Sequence, residues 1–356
     1  MNKNGKIKVL IIDDSAVMRQ MLTAMLNEDP EIEVVGTAAN PLIARDKIKT
    51  LKPDVLTLDV EMPGMDGITF LEKLMRLHPL PVVMVSSLTK SGAAATLRAL
   101  DLGAVDFVTK PQKAGRETMA DEFMDEIRTK VRAAATAHVH PVPVPAPMRT
   151  VIPGAPSLTT ANKHGVIAIG ASAGGTQAIT DVLARLPVET PGIVIVQHMP
   201  PKFTTSFAER LNSLCALEVR EAKDGERVTP GVALLAPGGY QMALWRDNGG
   251  YAVKVYEGEK VNLHRPSVNV LFDSVARCKG VRSLGIILTG MGSDGAQGLC
   301  AMKMAGAHTI AQDEKSCVVY GMPGEAVRLR GVSEILPLEQ IAGRIVTWAS
   351  GETTRA

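Results

Sequence analysis

Three residue types suited to acyl transfer follow three apolar runs in the second half of the chain. Ser172 lies in Gly170-Ala171-Ser172-Ala173-Gly174-Gly175, directly after the run 166–169. His198 lies in Gln197-His198-Met199-Pro200-Pro201, after 192–196. Asp294 lies in Thr289-Gly290-Met291-Gly292-Ser293-Asp294-Gly295, after 284–288. A serine hydroxyl is a poor nucleophile until a base takes its proton, and imidazole suits that task near neutral pH. A carboxylate on the other ring nitrogen would fix the tautomer and stabilise the imidazolium. Backbone N–H groups of the glycine-rich turns, that of Met291 among them, could form an oxyanion hole. Each residue also has a plainer reading. Ser172 could stand in a phosphate-binding or purely structural turn, Asp294 could cap the next helix, and His198 could be a turn residue before Pro200. His264, before Arg265-Pro266, is a rival base on a predicted loop. G-x-S-x-G fits the nucleophile-elbow spacing, but the order Ser, His, Asp differs from that of the α/β-hydrolases.

A second constellation occupies the first half. Asp13 and Asp14 follow the apolar run 9–12, Asp59 follows 55–58, Ser86 follows 81–85 and Lys110 follows 105–109. Carboxylates converging in one place repel each other and become tolerable around a divalent cation, where hard oxygen ligands suit Mg²⁺. A carboxylate can also attack a phosphoryl group. Ser86 could then hydrogen-bond the product and Lys110 pair with it. Any one of these residues reads alone as a loop or cap residue, but five at strand ends do not.

The elements that position both sets alternate strand and helix. In the first half, strands over 9–12, 33–38, 55–58, 81–85 and 105–109 alternate with helices, Ser15 and Asn40-Pro41 being good helix starts. That alternation implies a parallel sheet with helices on both faces, and chemistry then gathers at the carboxyl ends of the strands. A proline-rich stretch over 133–163 reads as a semi-rigid or disordered linker carrying His138 and His140. From residue 164 to about 350 a second α/β domain is expected, mainly parallel, with an antiparallel hairpin at one edge signalled by Asp247-Asn248-Gly249-Gly250.

A chain of 356 residues exceeds one ordinary core, so two domains are expected. Net charge of +2 argues against a nucleic-acid binder or a polybasic membrane protein. The four cysteines show no C-x-x-C pairing and read as reduced, mostly buried thiols. No apolar run is long enough for a signal peptide or a membrane span, so a cytoplasmic protein is expected.

Residues 7 to about 125 resemble a response-regulator receiver domain, a flavodoxin-like (βα)5 fold. The resemblance is carried by Ile12-Asp13-Asp14-Ser15, Leu58-Asp59-Val60-Glu61-Met62-Pro63-Gly64-Met65-Asp66-Gly67, Ser86-Ser87 and Thr109-Lys110-Pro111. It implies Asp59 as phospho-acceptor, Mg²⁺ held by Asp13, Asp14, Asp59 and the backbone carbonyl of Glu61, and Ser86 and Lys110 as the switch pair. Residues 164–350 resemble the methylesterase domain of the CheB family of chemotaxis protein-glutamate methylesterases. Besides the three segments quoted first, Leu235-Ala236-Pro237-Gly238 and His264-Arg265-Pro266-Ser267-Val268 match. The resemblance implies a doubly wound α/β domain with Ser172 as nucleophile, His198 as base, Asp294 as orienting acid and no cofactor for the ester reaction. It further implies methylated chemoreceptors as substrate, with methanol released, deamidation of receptor glutamines, and a chemotaxis histidine kinase as phosphodonor. The unphosphorylated receiver would cover the substrate path to Ser172. Two other readings compete. A receiver joined to a DNA-binding output lacks support, because the second half has no basic recognition helix. A receiver-controlled, non-catalytic scaffold is disfavoured by the intact Ser172, His198 and Asp294.

Overall fold

Short apolar runs become buried strands in both halves, because helices cover both faces of each sheet. The computed structural model of the chain describes residues 5–62, 66–111, 117–139, 165–278 and 280–351. Pro63, Gly64 and Met65 of the quoted motif, His140, the linker from residue 140 onward and His164 lie outside these described residues. Two units are distinguished, Met1–Val144 and Pro145–Ala356.

The first unit runs β1 (Ile7–Ile12), α1 (Ala16–Asn27), β2 (Ile32–Ala38), α2 (Pro41–Leu51), β3 (Val55–Asp59), α3 (Gly67–Leu77), β4 (Val82–Ser86), α4 (Lys90–Asp101), β5 (Asp106–Thr109) and α5 (Glu117–Ala135). Its five strands pair in parallel in the order β2-β1-β3-β4-β5. The order reverses between β1 and β3, which sets Asp13, Asp14 and Asp59 on one edge at the switch point. The helix starts follow their cap residues: Ser15, Asn40, Asp66 and Thr89 each accept a backbone N–H of the first turn. A Cβ at Gly67 would stand 2.0 Å from the Asp59 carbonyl oxygen, so only glycine lets α3 start against the end of β3. Helix α5 continues to Ala135, three residues into the stretch assigned to the linker.

The second unit runs β6 (Gly165–Ala171), α6 (Gly175–Leu183), β7 (Gly192–Gln197), α7 (Phe203–Leu214), β8 (Glu218–Glu221), β9 (Val232–Leu235), β10 (Gln241–Asp247) and β11 (Gly250–Tyr256). It continues through α8 (Val268–Arg277), β12 (Arg282–Ile287), α9 (Ala296–Met304), β13 (His308–Gln312), α10 (Met322–Arg328), β14 (Glu334–Leu336) and α11 (Leu338–Ser350). Seven parallel strands form one sheet in the order β14-β13-β12-β6-β7-β9-β8. The antiparallel hairpin is present, but β10 and β11 form a separate two-stranded sheet instead of an edge of the main one. Its apolar face, with Met242, Leu244 and Val253, packs into the core with α8. Of the cysteines only Cys317 is buried; the other three are half-buried, and all four are free thiols.

Helix α8 is seated through Phe272, which is fully buried. A Cβ at Gly298 would come within 2.7 Å of the Phe272 Cβ, and one at Gly170 within 3.2 Å of its Cζ. Two glycines thus let α8 lie close to β6 and α9. Phe272→Ala should lower the stability of this unit by about 3–5 kcal/mol, read as a lower urea midpoint. A loss under about 1 kcal/mol would show that α8 is seated by other contacts.

Candidate active site and phospho-acceptor pocket

In the second unit the strand order reverses between β6 and β12, and the candidate residues gather there. Ala171 pairs with Gln197 at the end of β6 and β7, so Ser172 and His198 are the next residues along on neighbouring strands, spaced about 4.8 Å apart. The His198 backbone N–H donates to the Ala171 carbonyl at 3.1 Å. The Ser172 N–H donates to the Thr289 carbonyl at 3.0 Å, which joins the Ser172 turn to the loop after β12. The Gln197 side-chain amide donates to the carbonyls of Ser172 (2.9 Å) and His198 (3.2 Å). Backbone geometry around the serine is therefore fixed from both neighbouring strands.

His198 Nε2 lies 2.8 Å from Asp294 Oδ2, with the imidazole 7% and the carboxylate 1% exposed. Asp294 does not cap its own helix. Gly295 holds that position with φ +90°. The carboxylate instead meets the N-terminus of α8: Val268 and Asn269 donate backbone N–H groups at 2.6 and 3.2 Å, and the Ser267 hydroxyl donates at 2.8 Å. Asn262 Nδ2 adds a donor at 2.9 Å. Burial pushes the Asp294 carboxyl up, but the His198 hydrogen bond and charge, with Asn262 and Ser267, outweigh it and hold the group well below the usual carboxylate range. An ionised acid on Nε2 leaves Nδ1, which is buried and has no hydrogen-bond partner, as the nitrogen that can accept a proton.

The loop after β12 presses on Ser172. A Cβ at Gly290 would come within 2.9 Å of Ser172 Cβ, so the turn holding Met291 approaches Ser172 only as glycine. Thr289, 1% exposed, ties this loop down: its hydroxyl donates to the Ala173 carbonyl at 2.9 Å and accepts the Val319 N–H at 3.0 Å. Neither Thr289 nor Asn262 was singled out by spacing, because their partners lie far off in sequence. His264, the rival base, lies on the face of His198, with ring centroids 3.6 Å apart and planes 13° from parallel.

In the first unit, ligand atoms of Asp13, Asp14 and Asp59 lie within 4.8 Å of one another. Lys110 Nζ is 2.7 Å from Asp59 Oδ2 and 3.1 Å from Asp13 Oδ2. The second approach is out of line for a hydrogen bond, so Asp13 Oδ2 stays buried without a donor. An orphaned carboxylate oxygen in a three-acid cluster with one close cation fits a hard divalent ion such as Mg²⁺. Asp59 is 2% exposed. Burial is the main force pushing its carboxyl from 3.8 up to about 6, with Asp13 adding, against Lys110 and the Glu61 N–H. Burial lowers the Lys110 ammonium, but Asp59 and then Asp13 outweigh it and hold it above its ordinary value. The Ser86 hydroxyl accepts from Thr96 at 2.6 Å and contacts the Gly92 carbonyl at 3.3 Å, so it is bonded into α4. Among the described residues no helix is long and apolar enough to cross a membrane.

Residues 9–120 match the response regulator receiver domain family, and residues 167–345 match the family described as CheB methylesterase. A protein-glutamate methylesterase/protein-glutamine glutaminase of Salmonella typhimurium is 55% identical over 344 residues, 96% of this chain and 97% of that protein. A protein of the same name from Shigella flexneri is 53% identical and covers 99% of each chain. Among solved structures, the Thermotoga maritima CheB methylesterase catalytic domain is 36% identical, covers 52% of this chain and 98% of its own, and superposes with a TM-score of 0.50. The chain belongs to the CheB methylesterase family, as a phosphorylation-regulated methylesterase with an N-terminal response regulator receiver domain.

Proposed function

We propose that Ser172, His198 and Asp294 carry out hydrolysis of glutamate γ-methyl esters on methyl-accepting chemoreceptors in the cytoplasm. His198 takes the Ser172 proton as the hydroxyl oxygen attacks the ester carbonyl. The same proton passes to the leaving methoxide, and methanol departs from an acyl-enzyme. Water then attacks with His198 again as base, which yields glutamate and free serine. A glutamine side chain follows the same course with ammonia as leaving group, the deamidation that the relatives' names describe. The Met291 N–H is the proposed oxyanion donor. The observation that most supports this reading is the buried His198–Asp294 bond beside the strand end that bears Ser172.

Asp59 is the proposed phospho-acceptor, with a chemotaxis histidine kinase as donor. Asp13, Asp14, Asp59 and the Glu61 carbonyl would hold Mg²⁺, which supplies charge neutralisation for the incoming phosphoryl group. Lys110 already contacts Asp59, so the new charge of about −2 redistributes an existing ion pair. Ser86 must leave its α4 partners to reach the phosphoryl oxygens.

Methanol release from methyl-labelled receptor tests the triad. Ser172→Ala and His198→Ala should abolish it, and Asp294→Asn should lower it by about 10³–10⁴-fold through the wrong tautomer. Near-normal hydrolysis by Ser172→Ala would exclude the serine mechanism. Asp59 gives a prediction that needs no esterase assay. Its raised pKa means the folded state binds the proton more tightly than the unfolded chain between pH 3.8 and about 6. Without divalent cation, this group's contribution to stability should fall as pH rises through that window, and added Mg²⁺ should restore it above the window. The difference in urea midpoint between wild type and Asp59→Asn isolates the effect; a difference independent of pH would contradict it. Finally, a small phosphodonor should speed hydrolysis by the full chain, not by Asp59→Asn. A fragment beginning near residue 164 should be faster than the unphosphorylated full chain and indifferent to donor. A fragment no faster would remove restraint by the receiver as the mode of control.

A further inference from the structure

The tight turn 261–264 makes two contacts with the triad at once. Val261 and His264 exchange backbone hydrogen bonds, N to O at 3.0 and 2.9 Å. Both central residues are left-handed, Asn262 with φ 51° and Leu263 with φ 69°. That is the pattern of a primed hairpin turn, which usually places glycine where this chain has leucine. Leu263 is 87% exposed, so its strained backbone is not offset by packing of its own side chain. What the turn achieves is placement of its other side chains. Asn262 reaches the Asp294 carboxylate, and His264 stacks on His198.

His198 needs such support. Its ring is held through Nε2 to Asp294, while Nδ1 has no hydrogen-bond partner. A ring fixed by one hydrogen bond can still pivot about that bond, and a pivot changes the direction in which Nδ1 faces. A parallel ring at 3.6 Å blocks the pivot. The Gln241 side-chain amide in turn donates to the His264 carbonyl at 3.2 Å and anchors the turn to β10. We propose that the turn 261–264 is a positioning element of the active site, in which His264 fixes the plane of the His198 imidazole and Asn262 fixes the carboxylate that orients it. This role rests on the reading of His198 as the base, and it makes His264 a positioning residue instead of a rival base.

The test uses the full chain with methyl-labelled receptor and phosphodonor. His264→Ala should lower kcat by about 10–100-fold with KM changed less than about twofold, because the loss is in alignment and not in substrate binding. His264→Phe restores a stacking ring without a titratable nitrogen and should recover most of that loss. Asn262→Ala should also lower kcat at constant KM. The His198 ring resonances should lose their ring-current shift in His264→Ala and keep one in His264→Phe, a signature that general loosening of the fold does not produce. Wild-type kcat in His264→Ala overturns the proposal. Failure of His264→Phe to recover activity overturns it as well, and assigns a chemical role to the imidazole itself. His198→Ala is measured alongside: if it remains active, the base assignment fails, whereas an inactive His198→Ala with a normal His264→Ala refutes only the present inference.

Discussion

The second unit's site depends on one buried anion, the Asp294 carboxylate. Taking a carboxylate out of water costs several kcal/mol after relaxation, and only full hydrogen bonding offsets it. Five donors supply that here: His198, Asn262, Ser267, and the backbone of Val268 and Asn269. They come from the end of β7, the turn 261–264 and the start of α8. The α8 N-terminus also presents its partial positive charge to the anion. The carboxylate therefore holds the His198 imidazole and docks a helix in the same act. Any change that weakens the seating of α8 against β6 and α9 reaches the imidazole through this carboxylate.

The first unit treats its central carboxylate in the opposite way. Asp59 is as buried as Asp294 in accessible surface, yet the Asp59 pKa is raised while that of Asp294 is lowered. The difference lies in the company each keeps. Asp294 is surrounded by donors, whereas Asp59 has Lys110 and one backbone N–H on its side and Asp13 against it. A fully satisfied carboxylate is an inert positioning group. An under-satisfied one keeps lone pairs available to a ligand, and the same deficit attracts a divalent cation. Both arise at the carboxyl edge of a parallel sheet, where the strand order reverses.

Much of this was legible because it is local. Runs such as 9–12 and 166–169 are apolar without alternation, which marks doubly covered parallel strands. Ser15, Asn40-Pro41 and Ser267 announce helices through caps that act within three residues. The residues that bear Ser172, His198 and Asp294 follow from strand ends. The rest was hidden because it is non-local or runs against local preference. Strands β8 (Glu218-Val219-Arg220-Glu221) and β14 (Glu334-Ile335-Leu336) are short edge strands whose charged residues give no apolar run. The hairpin turn was readable, but not that the apolar face of β10–β11 would pack on α8 instead of extending the sheet. Asn262-Leu263 does not look like a turn, since leucine stands where glycine is favoured. Asp294 resembled an ordinary helix cap because its true partners, 25 and 26 residues earlier, start a different helix.

Thr289 shows how little side chain is needed to join these elements. Its backbone carbonyl accepts from Ser172, its N–H donates to Gln312 Oε1 at 2.8 Å, and its hydroxyl bridges Ala173 and Val319. Gly290 follows at once and can approach Ser172 only because it lacks a Cβ. An apolar residue of equal size at 289 would leave the Ala173 carbonyl and the Val319 N–H without this buried partner, at about 1–3 kcal/mol for each group left unsatisfied. The Ser172 turn and the loop that bears Met291 are thus one hydrogen-bonded body. In such a body the geometry between Ser172 and the proposed oxyanion donor is set before substrate arrives, so under that proposal it does not have to be organised during the reaction.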